Sequence, residues 1–234
     1  VLLTGFAYMS LVERKMLARL QARYGPNRAG PMGLLQPVAD GLKLIFKESI
    51  TPKAVDVPVY FLAPVLVVIP ALILFAVIPV GPGDLFQLAS KINVGVLYVL
   101  GVMGVAVYGI TMAGWSSNNK YASLGGLRAS AQVISYELGM GLAMVTVVLM
   151  AGSMSLADIV DAQLPAQYGG VLGWFIFRQP VAAIVFTITA LAETMRSPFD
   201  LVEAEQELTA GYMTEYSGMK FALFFMGEYV KMIA

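Results

Sequence analysis

Three long stretches without charged side chains are the feature that most limits what this chain can fold into. Residues 57–83 and 92–119 contain no Asp, Glu, Lys or Arg, and residues 129–157 contain only Glu137. A helix needs about 20 apolar residues to cross the roughly 30 Å hydrocarbon core of a bilayer, and each stretch is long enough. The sequence therefore predicts an all-α integral membrane protein, with helical spans at about 58–79, 93–115 and 129–151.

The composition excludes several other classes of protein. Of the 234 residues 58% are hydrophobic and 13% are charged, whereas a soluble globular domain carries about 25% charged residues. The 15 basic and 15 acidic residues balance, so the net charge gives no reason to expect binding to nucleic acid. The chain has no Cys and no His, the residues that most often bind iron–sulfur clusters, haem and zinc, so no metal site is predicted.

Further apolar segments complete a single predicted membrane domain over residues 1–234, a polytopic helix bundle. A fourth span is predicted at about 173–193, because the uncharged run 179–192 is too short to cross unless the helix starts earlier and Arg178 reaches out to the interface. The two ends of the chain are also apolar and stop abruptly. They are predicted to be partial spans, 1–12 and 218–234, so the bundle is expected to be truncated at both ends.

The distribution of Lys and Arg predicts the orientation of this bundle. The segment 13–57 carries most of the basic residues and 116–128 carries Lys120 and Arg128, whereas the loops between the spans on the other side are poor in them. Basic loops remain on the cytoplasmic side of a membrane. The predicted cytoplasmic loops are therefore 13–57 and 116–128. The loop 194–217, which has one Arg and several carboxylates, is predicted to be cytoplasmic from the alternation of the spans.

The first of these loops contains a predicted amphipathic helix. Leu34, Val38, Leu42 and Ile45 recur at helical spacing, and polar residues occupy the rest of the wheel. Such a helix is expected to lie in the plane of the membrane interface. It either braces the membrane surface or borders an opening through which a lipid-soluble ligand enters, and the pattern alone leaves both open.

Ionisable residues inside or beside the spans are the first candidates for function. Glu137 lies within a predicted span and Glu228 within the last apolar run. A carboxylate at membrane depth is costly, so each is a functional candidate, with a polar link between helices as the alternative. Glu13 and Arg14 stand at the cytoplasmic end of the first apolar run, where an interfacial ion pair of little energetic value would be the ordinary explanation.

A run of carboxylates around residues 193–207 is the densest polar signal. It contains Glu193, Asp200, Glu203, Glu205 and Glu207. A solvated acidic loop is the usual explanation of such a run, but apolar spans flank this one and apolar residues interleave with it. The carboxylates are therefore expected to surround a cavity and to titrate as a coupled set. No nucleotide-binding glycine motif is present, and without Cys or His no Ser/His or Cys/His nucleophile pair is possible.

Several long motifs, in order along the whole chain, resemble one family. They are ERK at 13–15, RYGPNR at 23–28, GLLQPVADGLK at 33–43, SYE at 135–137, AETMRSPFD at 192–200, EAEQEL at 203–208 and EYSGMKFALFF at 215–225. These strings resemble the H subunit of the proton-pumping NADH:quinone oxidoreductase, respiratory complex I, which is called subunit 1 in mitochondria. Family members usually have about eight membrane helices, which implies that this chain lacks the start of the first and everything after the sixth.

The resemblance implies a role at the quinone chamber. Residues carried over as lining or supporting that chamber are Glu13, Arg14, Arg23, Asp40 and Arg196. An acidic path for protons towards the membrane centre is implied for Glu137, Glu193, Asp200, Glu203, Glu205, Glu207, Glu215 and Glu228. Quinone, either ubiquinone or menaquinone, is the implied substrate, while FMN and the iron–sulfur clusters belong to partner subunits and this chain binds no cofactor.

The same resemblance implies partners and a location. Hydrophilic quinone-module subunits would dock on the cytoplasmic loops, small and antiporter-like membrane subunits would pack alongside, and lipid would surround the rest. A bacterial cytoplasmic (inner) membrane is expected, with the mitochondrial inner membrane as the alternative.

Three rival functions remain open at this level. One is a stand-alone proton transporter, which intramembrane carboxylates would serve equally well. Another is the homologous membrane subunit of a hydrogenase, or of a dehydrogenase fed by ferredoxin or a deazaflavin; the Glu-x-Glu-x-Glu run at 203–207 favours the quinone enzyme. The third, a purely structural anchor, leaves Glu137 and Glu228 unexplained.

Overall fold

All regular structure in the described part of the chain is helical. The computed structural model describes residues 2–79, 89, 91–164, 173–196, 199–200 and 210–234. The helices are α1 (Leu2–Leu20), α2 (Gln36–Phe46), α3 (Val57–Leu74), α4 (Gly95–Ser116), α5 (Lys120–Ala151), α6 (Leu156–Asp161), α7 (Phe175–Arg178), α8 (Pro180–Glu193) and α9 (Met219–Ile233). Short 3-10 turns occupy Pro31–Gly33 and Gly211–Met213.

The predicted polytopic helical membrane fold is confirmed by the three longest apolar helices. Helices α3, α4 and α5 are each long and apolar enough to cross a membrane. Local chemistry explains both ends of α5. At its start, the Asn119 side chain accepts a hydrogen bond from the Tyr121 backbone N–H at 2.9 Å, and at its end Gly152 has a φ of 71°. A polar cap at the start and a left-handed glycine at the end are the usual limits of a helix.

Two helices extend further than the sequence predicts. Helix α1 continues past residue 12 to Leu20, and α5 begins at Lys120, so residues 120–128, expected in a cytoplasmic loop, are helical. Charged residues mark the ends of a hydrophobic span, but Glu, Lys and Arg are good helix formers and do not end the helix itself. The loop between α4 and α5 therefore shrinks to residues 117–119.

The fourth predicted span is broken rather than continuous. Helix α7 ends at Arg178 and α8 begins at Pro180, with Gln179 between them at φ −131° and ψ 68°. Proline disfavours helical backbone at the residue before it and cannot donate a backbone hydrogen bond, which accounts for the interruption. Helix α8 has 14 residues and rises only about 1.5 Å per residue, about 21 Å in all, so it is shorter than the hydrocarbon core.

The amphipathic helix predicted in the first loop is formed by α2. Leu34 precedes the helix, while Val38, Leu42 and Ile45 lie within it and are exposed. Within the described part of the chain, no residue of α2 is buried. An exposed apolar stripe on a short helix is what contact with lipid at the interface requires.

Glycines on α4 allow this helix to pack closely against α3 and α5. A Cβ at Gly114 of α4 would lie 2.6 Å from the carbonyl oxygen of Ala122 and 3.0 Å from the Cα of Gly126, both on α5. At Gly109 it would lie 2.7 Å from Val67 of α3. Small residues at such crossings let helix backbones approach closely, which is a main source of packing energy in membranes.

Replacing Gly114 by alanine is expected to destabilise the bundle by about 1–3 kcal/mol, because the backbones of α4 and α5 would have to separate. Gly101 supplies the matched control on the same helix, since a Cβ there meets no atom within 4 Å. The measurement is the thermal unfolding midpoint and membrane yield of the two variants. Equal values for Gly114→Ala and Gly101→Ala would contradict the packing argument.

Candidate functional site

A cleft of about 230 Å³ lies where α1, α2 and α9 meet. Aromatic side chains form its apolar part, and two cations, a carboxylate and two hydroxyls supply its polar part. Its lining is Phe6, Ser10, Arg14, Asp40, Lys43, Leu44, Phe221, Ala222, Phe225 and Tyr229. We call this space the Arg14 cleft. The lining is therefore apolar with a few polar groups that can fix the orientation of a ligand. Such a lining suits a flat ring that carries polar oxygens at its edge.

An ion pair across the Arg14 cleft joins α1 to α2. The Arg14 Nη1 lies 2.6 Å from Asp40 Oδ2, and the Gln36 side chain donates to the other oxygen of Asp40 at 3.0 Å. Gln36 and Asp40 are one turn apart on α2 and so share a face. The side chains of Arg14 and Asp40 are 53% and 32% exposed, so the pair adds little stability but holds a guanidinium at the wall of the cleft.

Glu13 ties three segments of the chain together beside the cleft. Its Oε2 accepts a hydrogen bond from the Tyr229 hydroxyl of α9 at 2.6 Å, and its Oε1 lies 3.0 Å from Arg196, which follows α8. The guanidinium of Arg196 also stands 4.7 Å from the centre of the Tyr229 ring. Burial by itself would lower the pKa of Arg196, but Tyr229 and Glu13 raise it, and the net pKa is raised. Arg196 therefore remains a cation at this junction.

Deeper in the bundle, Glu193 and Lys231 form a buried ion pair. Glu193 is the last residue of α8 and Lys231 lies in the last turn of α9. Lys231 Nζ is 3.5 Å from Glu193 Oε1, and the two side chains are only 6% and 4% exposed. The other oxygen of Glu193 has no hydrogen-bond partner among the described residues. The end of α8 is fixed by Gln132 of α5, whose side-chain amide donates to Ala192 O at 3.1 Å and Phe199 O at 2.8 Å.

Two further carboxylates lie beside this ion pair. Glu228 Oε1 accepts a hydrogen bond from Tyr212, a fully buried residue, at 2.7 Å, and Glu228 lines the same small internal space as Glu193 and Lys231. Glu137 of α5 faces α4, where a Cβ at Gly104 would lie 3.3 Å from its Oε1, and its carboxylate interacts electrostatically with Lys231. We call Glu137, Glu193, Glu228 and Lys231 the buried acidic cluster.

An apolar cavity of about 390 Å³ adjoins the buried acidic cluster. Among its lining residues only Glu193 and Lys231 carry a charge; the others include Leu74, Val96, Val99, Met103, Met140, Met144, Ile159, Phe186 and Met232. The ion pair therefore lines both this apolar cavity and the small internal space that it shares with Glu228. Charges in such a place are little screened by water, so their mutual interactions are strong.

The remaining predicted site residues lie elsewhere. Arg23 donates from Nε to Gln21 at 2.7 Å and lines a separate open cleft of about 500 Å³ with Lys15 and Arg19. Glu215 accepts a hydrogen bond from the Asn119 side chain at 2.6 Å, at the start of α5. Asp200 is exposed. The predicted residues Glu203, Glu205 and Glu207 lie outside the described residues.

Several residues of the site are not predicted from the sequence, and three of them bind its carboxylates directly. Tyr229, Tyr212 and Lys231 each contact a carboxylate at the Arg14 cleft or in the buried acidic cluster. A signal for Lys231 is present, because it lies three residues after Glu228 and so shares a face of α9 with it. For the two tyrosines no sequence pattern distinguishes a hydroxyl that bonds a carboxylate from one at the lipid interface.

Comparison with known proteins places these features in context. The family model described as NADH dehydrogenase matches residues 1–234. The chain is 51% identical to the NADH-quinone oxidoreductase H subunit of Protochlamydia amoebophila, over 99% of this chain and 71% of that protein. It is 53% identical to the H subunit of Deinococcus deserti, over 99% of this chain and 59% of that protein. It is 52% identical to the H subunit of Rhodospirillum rubrum, over 99% of this chain and 66% of that protein.

Proposed function

Because the chain belongs to the NADH dehydrogenase family, we propose that it acts as the H-type membrane subunit of an NADH:quinone oxidoreductase. In this proposal it forms the quinone entrance and part of the chamber wall, and it couples quinone reduction to proton translocation. The chain spans 59% of the length of the Deinococcus deserti relative and 71% of the Protochlamydia amoebophila relative. The bacterial inner membrane is the proposed location.

The Arg14 cleft is the proposed contact with quinone. Phe6, Phe221 and Phe225 offer apolar faces to a quinone ring and its tail, and the guanidinium of Arg14 can donate to a quinone carbonyl oxygen. The exposed apolar face of α2 stands beside the same cleft, because Asp40 and Lys43 of α2 line it. A lipid-soluble quinone leaving the bilayer would therefore pass α2 on its way in.

The single observation that carries the coupling proposal is that one helix serves both the Arg14 cleft and the buried acidic cluster. Within four residues of α9, Tyr229 bonds Glu13 beside the cleft, Glu228 bonds Tyr212, and Lys231 pairs with Glu193. A change in charge or hydrogen bonding at the cleft acts on α9 and therefore on the buried acidic cluster. Coupling of this kind needs a contiguous set of packed and hydrogen-bonded groups, and α9 provides one.

Electron transfer is assigned to partner subunits in this proposal. The sequence holds no Cys or His, so it has no thiolate or imidazole with which to hold a cluster or haem. FMN and the iron–sulfur clusters would lie in hydrophilic subunits docked on the cytoplasmic side, and antiporter-like subunits would continue the proton path. The chain itself orients quinone and holds protons on carboxylates.

Replacing Arg14 by methionine tests the quinone site. We expect kcat/KM for a short-chain ubiquinone to fall about tenfold, since a charge-assisted hydrogen bond contributes about 1.5–3 kcal/mol and each 1.4 kcal/mol is a factor of ten. The assay is NADH:quinone reductase activity in membranes of a bacterium whose own copy is deleted, divided by NADH:ferricyanide activity to correct for assembly.

The matched control is Arg28→Met, because Arg28 is an exposed arginine in the loop after α1. It should leave the normalised kcat/KM unchanged. An Arg14→Met enzyme with unaltered kcat/KM would remove the quinone contact from this cleft. Proton uptake by vesicles that continues without NADH or quinone would instead support the stand-alone transporter.

A further inference from the structure

Lys231 stands out because a lysine ammonium is seldom as buried as this one. Its side chain is 6% exposed, and the pair with Glu193 is far less exposed than the Arg14–Asp40 and Glu13–Arg196 pairs. Moving an ion out of water costs several kcal/mol even after the surroundings relax, and the attraction of the partner offsets this only where the geometry is good and the other polar atoms are satisfied.

The geometry of this pair is poor by that standard. The Nζ to Oε1 distance of 3.5 Å is long for a charged hydrogen bond, and Glu193 Oε2 has no described partner. A pair built to stabilise the fold would be shorter and fully satisfied. The attraction within this pair therefore offsets little of the cost of burying its two charges.

Three carboxylates from packed elements of the described chain contact Lys231, share its small space or interact with it electrostatically. Glu193 faces it from α8, Glu137 acts on it from α5, and Glu228 lies one turn earlier on α9 and lines the same small space. Tyr212, from the loop before α9, donates to Glu228. Three carboxylates around one ammonium in a medium of low polarity cannot all be ionised at little cost, so the ammonium decides how many are.

We propose that Lys231 is a positioning residue of the acidic path, the internal counter-charge that favours the ionised form of Glu193 and directs its carboxylate into the bundle. The inference rests on the proposed function. The ammonium holds one carboxylate of the cluster ready to accept a proton, and it lines both the small internal space and the apolar cavity. Without it, the carboxylate of Glu193 would face the cavity of about 390 Å³ with no described cation in its lining.

The test uses the whole enzyme with four variants of the full-length chain: Lys231→Met, Lys231→Arg, Glu193→Gln, and the double variant Glu193→Gln/Lys231→Met. Three quantities are measured in inverted membrane vesicles. NADH:ferricyanide activity reports assembly, NADH:quinone activity at saturating quinone across pH reports turnover, and a fluorescent pH-gradient probe reports protons moved per NADH oxidised.

For Lys231→Met we expect at least a fivefold loss of protons moved per NADH, and the acid limb of the activity profile should move to higher pH by about one unit or more, because the carboxylate loses an attractive charge. Lys231→Arg keeps the cation and should retain the wild-type profile. The double variant removes both charges, so it should assemble at least as well as Lys231→Met yet remain defective in pumping.

A structural role would give a different pattern. If the double variant pumps as wild type does, or if Lys231→Met keeps the wild-type pH profile and protons per NADH, the proposal is overturned. If Lys231→Met fails to assemble, the double variant and Lys231→Arg still distinguish a structural role of Lys231 from the proposed positioning role. The result is separable from the quinone proposal, which is read from kcat/KM in Arg14→Met, whereas these measurements are made at saturating quinone.

Discussion

Replacing Tyr60 by alanine should lower the free energy of unfolding by about 3–5 kcal/mol, the usual cost of removing a large buried ring. Tyr60 of α3 is 0% exposed. Its ring stacks on Tyr216 with centroids 4.1 Å apart, and its hydroxyl donates to Glu215 O at 2.7 Å. Tyr216 in turn packs edge-on against Phe224 of α9 at 4.8 Å. The change would leave a cavity between α3, α9 and the loop before α9 that carries Tyr216.

Two controls separate the ring from its hydroxyl and from tyrosine in general. Tyr60→Phe keeps the packing and removes one hydrogen bond, so a loss of about 1 kcal/mol is expected. Tyr108→Ala removes a ring that is 65% exposed on α4 and should cost less than Tyr60→Ala. The measurement is thermal unfolding of the detergent-purified complex. A Tyr60→Ala midpoint equal to that of Tyr108→Ala would show that this aromatic cluster does not hold the bundle.

Loss of Tyr60 would reach the functional site through the loop it supports. Tyr216 lies four residues after Tyr212, the donor to Glu228, and both tyrosines pack edge-on against Phe224. Burial raises the pKa of Tyr216, so this loop keeps its phenol neutral and presents a proton-bearing hydroxyl at ordinary pH. The core between α3 and α9 is therefore also the support of the buried acidic cluster.

Much of the fold can be predicted because charge is excluded from hydrocarbon. The long uncharged stretches predict α3, α4 and α5 with small errors at most ends. The errors occur where a different rule applies. Charges end a span but do not end a helix, so α1 and the start of α5 run on beyond the predicted boundary. At Pro180 a backbone restriction interrupts a stretch that hydropathy alone would continue.

The site is predictable where burial itself is the signal. Glu137 and Glu228 stand out in the sequence because a carboxylate at membrane depth is costly, and Glu193 because it begins a run of carboxylates. The structure brings all three into the surroundings of Lys231. Partners are harder to predict. Whether the Lys231 ammonium reaches outward to the interface or inward to Glu193 is decided by which face of α9 packs on α8, and a sequence without its tertiary structure does not contain that information.

The sequence indicates that Glu13 forms an ion pair, but it does not identify the partner. Adjacent residues Glu13 and Arg14 suggest one another, yet neighbours in a helix point about 100° apart and do not meet. Arg14 pairs with Asp40 instead, 26 residues away in the chain, and Glu13 pairs with Arg196. One helix therefore directs opposite charges to two different elements, and the α1 end becomes a junction for the whole site.

Glu13→Ala is expected to reduce NADH:quinone reductase activity at least tenfold relative to NADH:ferricyanide activity. The change removes the acceptor of the Tyr229 hydroxyl and the anion opposite Arg196. Each charge-assisted bond contributes about 1.5–3 kcal/mol, and partial exposure of Glu13 and Arg196 reduces that figure, so a loss above about 1.4 kcal/mol, or tenfold, is a conservative expectation. Glu13→Gln keeps an acceptor for Tyr229 and should lose less.

The control for this change is Glu48→Ala, because Glu48 is an exposed carboxylate after α2 and the same charge is removed. Its normalised activity should equal that of the wild type. If Glu13 only fastens α1 to α9, Glu13→Ala will lose ferricyanide and quinone activities together. If Glu13 helps to transmit the state of the Arg14 cleft to α9, the quinone reaction will be lost selectively, and less in Glu13→Gln than in Glu13→Ala, because Glu13 bonds Tyr229 of α9, which lines the cleft.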